Sequence, residues 1–196
     1  MSEHEITMTV DGERETATVE ARRLLVHALR EQGYTAPNVG CESGKCGACT
    51  VEMDGDVVKS CCLLAVQADG ADITTVAGVE GAPEGLAATA DAGDAAGDAH
   101  GDAPADLGPV QESFHQEHGL QCGYCTPGMV LTARELLADD PDPSRAEIRD
   151  GLKGNICRCT GYTNVVDAVE DAARKLEPLE TDGGVADDEP TAGGDD

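Results

Sequence analysis

Residues 5–10 (EITMTV) and 15–20 (ETATVE) alternate apolar with polar side chains or carry β-branched ones, on either side of Asp11-Gly12. Alternation at period two turns one face of a strand to a core, and Asp-Gly suits the positive φ angles of a two-residue turn. This stretch therefore predicts a β-hairpin. Residues 21–31 (ARRLLVHALRE) switch to helical spacing and stop at Gly33, which predicts one helix. Thr50 to Met53 and Val57 to Ser60 flank Asp54-Gly55 as a second hairpin, and Ala71 to Val76 reads as a last strand. The expected product is a small mixed sheet crossed by one helix.

Beyond residue 107 the period is helical. Val110 to His118 is one candidate, and Thr126-Pro127 offers an N-cap with proline at the first helical position ahead of Met129, Val130, Leu131, Leu136 and Leu137. Ser144 and Glu147 match a capping box before Ile148 and Leu152. A last helix over 163–176 puts Val165, Val169, Ala172 and Leu176 on one face. Four helices with short connections predict a compact bundle. Residues 81–106, rich in Ala, Gly, Asp and Pro with six acids and no Lys or Arg, predict a solvated linker or insertion, and 177–196 a disordered acidic tail. The domains expected are thus 1–80, a linker 81–106, a helical domain 107–176 and a tail 177–196.

Composition changes this picture in two ways. With one Phe, three Tyr and no Trp in 196 residues, the cores need another source of cohesion. Thirty-nine acids against 13 bases, a net charge of −26, exclude nucleic acid as a partner, because the phosphates would be repelled. Acids at this density with only four lysines resemble haloarchaeal proteins, whose carboxylates hold hydration in molar salt. Acids also punctuate the folded parts, at Asp69, Asp72, Asp139, Asp140, Asp167, Glu170 and Asp171. No run is long enough for a membrane span, and Arg22-Arg23 precedes a short, charged, helix-patterned stretch rather than a signal core. A cytoplasmic, reduced chain is expected.

Cysteine supplies the cohesion. Eight of nine fall into two quartets: Cys41, Cys46, Cys49 and Cys61, spaced C-x4-C-x2-C-x11-C, and Cys122, Cys125, Cys157 and Cys159, spaced C-x2-C-x31-C-x-C. The first carries the plant-type ferredoxin spacing of a [2Fe-2S] cluster, and Gly44 and Gly47 let its loop wrap closely with backbone N–H groups turned to the sulfurs. Spacing leaves Cys61 and Cys62 both eligible as fourth ligand. We assign Cys61 and read Cys62 as a small buried hydrophobe. The second quartet, on spacing alone, suits zinc as well as iron and sulfide.

The strings around it are more specific. QCGYCTPGM (121–129) and GNICRCTGY (154–162), with GCESGKCGACT (40–50) and VKSC-x3-AVQADG (58–70), resemble the iron-sulfur domain of the xanthine oxidase family of molybdenum hydroxylases, in its separate small-subunit form. The resemblance covers residues 5–80 and 107–176. It implies an α+β chain, an N-terminal β-grasp plant-type ferredoxin-like domain followed by a four-helix [2Fe-2S]-binding domain, and it aligns Cys61 rather than Cys62 with a ligand.

It further implies electron transfer from a molybdenum-pterin large subunit, through two [2Fe-2S] clusters, to an FAD-binding medium subunit, with no substrate-transforming site on this chain. The cluster of Cys122, Cys125, Cys157 and Cys159 would lie nearer the molybdopterin, which Gln121 and Cys159 would contact. The substrate, be it carbon monoxide, an aldehyde, a purine or another heterocycle, is then chosen on the large subunit. Arg158 and Lys45 either pair with an acid or stabilise a reduced cluster. His27, His115 and His118 read as structural or surface residues. A free-standing ferredoxin and a zinc-stabilised module are the competing readings.

Overall fold

Both Asp-Gly turns form. Asp11 and Gly12 have φ of 50° and 80°, Asp54 and Gly55 of 53° and 91°, the left-handed pair that matches the twist of a tight hairpin. The computed structural model describes residues 2–79, 81–83, 86–88 and 107–178. Strands β1 (Glu3–Val10) and β2 (Glu13–Glu20) pair along their whole length, Glu3 opposite Glu20 and Val10 opposite Glu13. Strands β3 (Thr50–Met53) and β4 (Asp56–Lys59) form the second hairpin. Strand β5 (Asp72–Thr74) joins the two, parallel to β1 and antiparallel to β3, giving the order β2-β1-β5-β3-β4.

Helix α1 (Leu25–Glu31) crosses this sheet, its Leu25 and Leu29 packed among Met8, Val10, Val51 and Ile73. It starts four residues later than the pattern predicts. Arg23 and Leu25 are hydrogen-bonded in extended form to Leu63 and Ala65, through Leu25 N to Leu63 O (2.9 Å) and Ala65 N to Arg23 O (2.7 Å). Those long-range bonds replace the helical ones that residues 21–24 would otherwise make.

The second unit is the expected four helices, α2 (Pro109–Gln116), α3 (Thr126–Asp139), α4 (Arg145–Gly151) and α5 (Thr163–Arg174). The one Phe of the chain, Phe114, is buried with Val110, Met129, Val130, Leu137, Ile148, Leu152, Val165, Val166 and Val169. The capping box forms, with Ser144 Oγ accepting from Glu147 N and Glu147 Oε2 accepting from Ser144 N. Thr126 is not the cap of α3. The turn closed by Thr126 N to Gly123 O already has Cys125 in helical conformation, so the cap falls on the cysteine.

Helix α5 also stops short of Leu176. That residue opens strand β7 (Leu176–Pro178), which pairs with β6 (Leu86–Ala88), Leu86 opposite Pro178. Leu86 is the apolar residue that lets the polar 81–106 stretch gain a packed end, for both Leu86 and Leu176 are buried against the helices. Gly81 and Ala82 carbonyls are held by the Arg134 guanidinium at 2.8 and 3.2 Å. The linker expected to be solvated throughout thus begins as a docked segment, while 89–106 and 179–196 lie outside the described residues.

Contact between the two units runs through backbone. Gly128 of α3 lies so close to Gly47 that a Cβ there would stand 2.1 Å from the Gly47 carbonyl oxygen, which makes glycine obligatory at this approach. Glu135 accepts from Val57 N at 3.1 Å, Asn38 Nδ2 donates to the Tyr124 carbonyl at 3.0 Å, and the Tyr124 hydroxyl donates to the Val39 carbonyl at 2.8 Å. Among the described residues no helix is long and apolar enough to cross a membrane.

Candidate metal centres

The first quartet is assembled from three places. Cys41 and Cys46 lie in the loop between α1 and β3, Cys49 at the entry to β3, and Cys61 in the 3-10 turn Ser60–Cys62 that follows β4. Ser60 fastens that turn by donating from Oγ to the Cys49 carbonyl at 2.6 Å. The thiols meet as two pairs, an inner one of buried Cys49 and Cys61 and an outer one of Cys41 and Cys46. Loop glycines make room. A Cβ at Gly40 would stand 2.8 Å from Cys46 Sγ, and one at Gly44, whose φ is 70°, would stand 2.7 Å from Cys62 Sγ.

The second quartet repeats this plan. Cys122 and Cys125 sit between α2 and α3, Cys157 and Cys159 between α4 and α5. Exposed Cys122 and Cys159 form the outer pair with sulfurs 3.6 Å apart, and Cys125 with buried Cys157 the inner pair. Tyr162, in left-handed conformation at φ 68°, turns the chain into α5, and its hydroxyl oxygen accepts from Cys157 N at 2.9 Å. Four thiols in two pairs are what a two-iron cluster requires, two sulfurs to each iron. Among the described residues no three His, Cys, Asp or Glu side chains converge closely enough to hold a single ion.

Burial and hydrogen bonds together set the protonation of the thiols. Hydrogen bonds from the Ser43 side chain and backbone, and from Cys46 N, pull the exposed Cys41 thiol down to about 6. Burial pushes Cys49 and Cys125 up to about 12 and raises Cys46. Backbone N–H of Tyr124 and the Cys159 thiol lower Cys122, and Cys159 is raised as its partner. Burial would raise Cys157, but the Thr160 hydroxyl and N–H outweigh it and leave it lowered. Cys41 is therefore ready as thiolate, whereas buried Cys49 and half-buried Cys125 need metal charge to ionise them, which couples folding to metal loading.

Between the sites the loops touch. Ile156 N donates to the Cys46 carbonyl at 2.8 Å, so one hydrogen bond joins the residue before Cys157 to Cys46 itself. Buried Asn155 backs it, with Nδ2 toward the Gly47 carbonyl at 3.5 Å and Oδ1 accepting from Thr132. Neither residue stood out in the sequence, where a polar and an aliphatic residue in a loop carry no signal of a junction.

The other expected residues fall as follows. Cys62 is exposed, not buried: in a 3-10 turn neighbours point about 120° apart, so with Cys61 turned inward Cys62 faces out over Gly44. Burial and the Cys61 thiol raise its pKa, with Lys59 opposing. Gln121 lies exposed beside Cys122 in the sequence, and Leu120, Tyr124, Ile156 and Cys159 are exposed as well. Lys45 and Arg158 are exposed, and neither has an ion pair among the described residues. His27 pairs with Glu42 at 2.6 Å, while His115 and His118 are exposed.

Comparison with known proteins follows the same two units. Residues 8–74 match the 2Fe-2S iron-sulfur cluster binding domain, and residues 97–170 the [2Fe-2S] binding domain. The chain is 44% identical over 173 residues to the nicotine 6-hydroxylase small subunit of Paenarthrobacter nicotinovorans, covering 88% of this chain and 91% of that one. It is 40% identical to the caffeine dehydrogenase subunit gamma of a Pseudomonas species, covering 90% and 95%. Among solved structures, quinoline 2-oxidoreductase from Pseudomonas putida 86 has a chain matching with TM-score 0.72 and 40% identity, over 88% of this chain and 94% of that one. Aldehyde oxidoreductase from Desulfovibrio gigas matches with TM-score 0.69 and 41% identity, over 87% of this chain and 17% of that longer one. A match that spans both domains sets aside the free-standing ferredoxin and the zinc module. The chain belongs to the family of small, two-domain [2Fe-2S] subunits that serve electron transfer in molybdenum hydroxylases of the xanthine oxidase type.

Proposed function

We propose that Cys41, Cys46, Cys49 and Cys61 hold one [2Fe-2S] cluster and Cys122, Cys125, Cys157 and Cys159 the other, and that the chain carries electrons from a molybdenum-pterin large subunit to an FAD-binding medium subunit. When bound, each cluster supplies one reversible one-electron couple. The observation that carries the reading is the junction: two paired quartets joined by the Ile156 N to Cys46 O hydrogen bond. Buried Asn155 lies behind this bonded bridge.

The division of ends rests on exposure. At the second site Cys122 and Cys159 reach the surface, and Leu120, Tyr124 and Ile156, each within two residues of one of its four cysteines, are exposed apolar side chains, the last two 48% and 54% exposed, suited to cover by a partner. The pterin-bearing subunit is proposed for this face, with Gln121 and Cys159 against the cofactor. At the first site Cys41 is the exposed thiol, and the flavin subunit is proposed there. The domains proposed are 1–80 and 107–176, joined through 81–106 and followed by an acidic tail 177–196, in a cytoplasmic complex.

Isolation of the tagged chain from its native cells tests this. Molybdenum and flavin should co-purify with it, with about four irons per chain and two distinct paramagnetic signals on reduction. A solitary protein, or one signal or stoichiometric zinc, would overturn the reading.

A further inference from the structure

The chain sets four lysines among 39 acids. Lys153 and Lys175 are matched by Asp150 and Asp171, and Lys45 is exposed to solvent. Lys59, the last residue of β4, is placed differently. It is half-buried, its Nζ donates to the Gly44 carbonyl oxygen at 2.8 Å, and among the described residues no carboxylate lies within ion-pair distance of it. Gly44 stands between Cys41 and Cys46, and Lys59 is two residues from Cys61, so the ammonium is attached to the first quartet from two sides. It also faces the second unit. A Cβ at Gly154 would stand 3.4 Å from Nζ, and Gly154 is three residues before Cys157.

We propose that Lys59 is the electrostatic tuning residue of the first site, raising its reduction potential above what its loop and the acidic surface would otherwise set. The inference rests on the ligand assignment proposed above. Reduction adds one electron, hence one negative charge, to that site. A fixed cation at the loop favours the added charge, and it also neutralises the Gly44 carbonyl, whose negative end would otherwise oppose it. The acids of the described residues act in the opposite sense, but mostly from exposed positions that salt screens. A half-buried ammonium in hydrogen-bond contact with the loop is screened far less. Lys59 is thus the local counterweight that keeps the first site able to accept an electron from the second.

The test is a redox titration of the intact complex followed by paramagnetic resonance, comparing wild type with Lys59→Gln, Lys59→Met and Lys59→Arg in dilute and in molar potassium chloride. The signal missing in Cys61→Ser identifies the first site. Both neutral variants should lower its reduced-to-oxidised ratio about tenfold at fixed ambient potential, 59 mV for a one-electron couple, with a smaller change at the second site. Lys59→Arg should restore it, and the shift should persist in molar salt. Unchanged potentials in the neutral variants, failure of arginine to restore, or loss of the first site's iron from both neutral variants would overturn the proposal, the last by making Lys59 a loop clasp alone. Absence of both signals in wild type would instead overturn the cluster assignment.

Discussion

Cys61 and Cys62 are chemically identical neighbours with different surroundings. Cys61 is 5% exposed and faces Cys49, while Cys62 lies outside over Gly44, its sulfur 3.9 Å from that of Cys61. A hydroxyl is a poor substitute for thiolate at a soft iron site. Cys61→Ser is therefore expected to remove one paramagnetic signal selectively, and Cys62→Ser to leave both; the reverse outcome would move the ligand by one residue. The eight candidate ligands were legible because thiolate spacing is itself the signal. Cys62 was misjudged because burial statistics describe the average free cysteine, not the outward side of a 3-10 turn. Lys59, Asn155 and Ile156 were silent for a different reason: each acts through a backbone group distant in sequence, and no local pattern records that partner.

At the scale of elements, the same division holds. The Asp-Gly hairpins and the Ser144 box are complete within a few residues, so the sequence states them in full. The start of α1 and the end of α5 depend on Leu63–Ala65 and on Leu86, far along the chain, and local periodicity overran both. Tyr34 shows how such a distant tie can be measured. It follows α1, and its hydroxyl donates to Glu15 of β2 at 2.9 Å. Burial, then the bond to Glu15 and the charges of Glu15, Glu13 and Asp11, raise its pKa from 10.0 to about 12. The folded chain thus keeps this proton at a pH where the unfolded chain has released it, so the tie stabilises fully below pH about 10 and is lost as pH rises toward about 12. Phenolate absorbance should show a late titration step that vanishes in Tyr34→Phe, whose unfolding midpoint in urea should also fall less steeply between pH 9 and 12. Persistence of the late step in Tyr34→Phe would assign it elsewhere.

For the whole molecule the question is where the charge sits. Residues 89–106 and 179–196 carry five and seven of the 39 acids and none of the 13 bases. If the excess acid belonged to those stretches alone, neutralising them would leave a balanced protein. Changing all twelve to the corresponding amides leaves 27 acids against 13 bases, and all of these acids but Glu80 and Glu84 fall on the described residues that form the strands, the helices and their loops. A net charge of about −14 on so small a body opposes compaction in dilute buffer, with valine-rich cores and one buried Phe to resist it. Molar salt shortens the reach of that repulsion to about 3 Å, leaving only contacting pairs in opposition. The amide-substituted chain should therefore keep cluster absorbance and circular dichroism in molar potassium chloride and lose both as the salt falls to millimolar, with the native chain failing at a higher salt concentration. Spectra constant over that range would refute adaptation to high salt and leave the electron-transfer assignment untouched, because the cysteine quartets and their junction owe nothing to the surface acids.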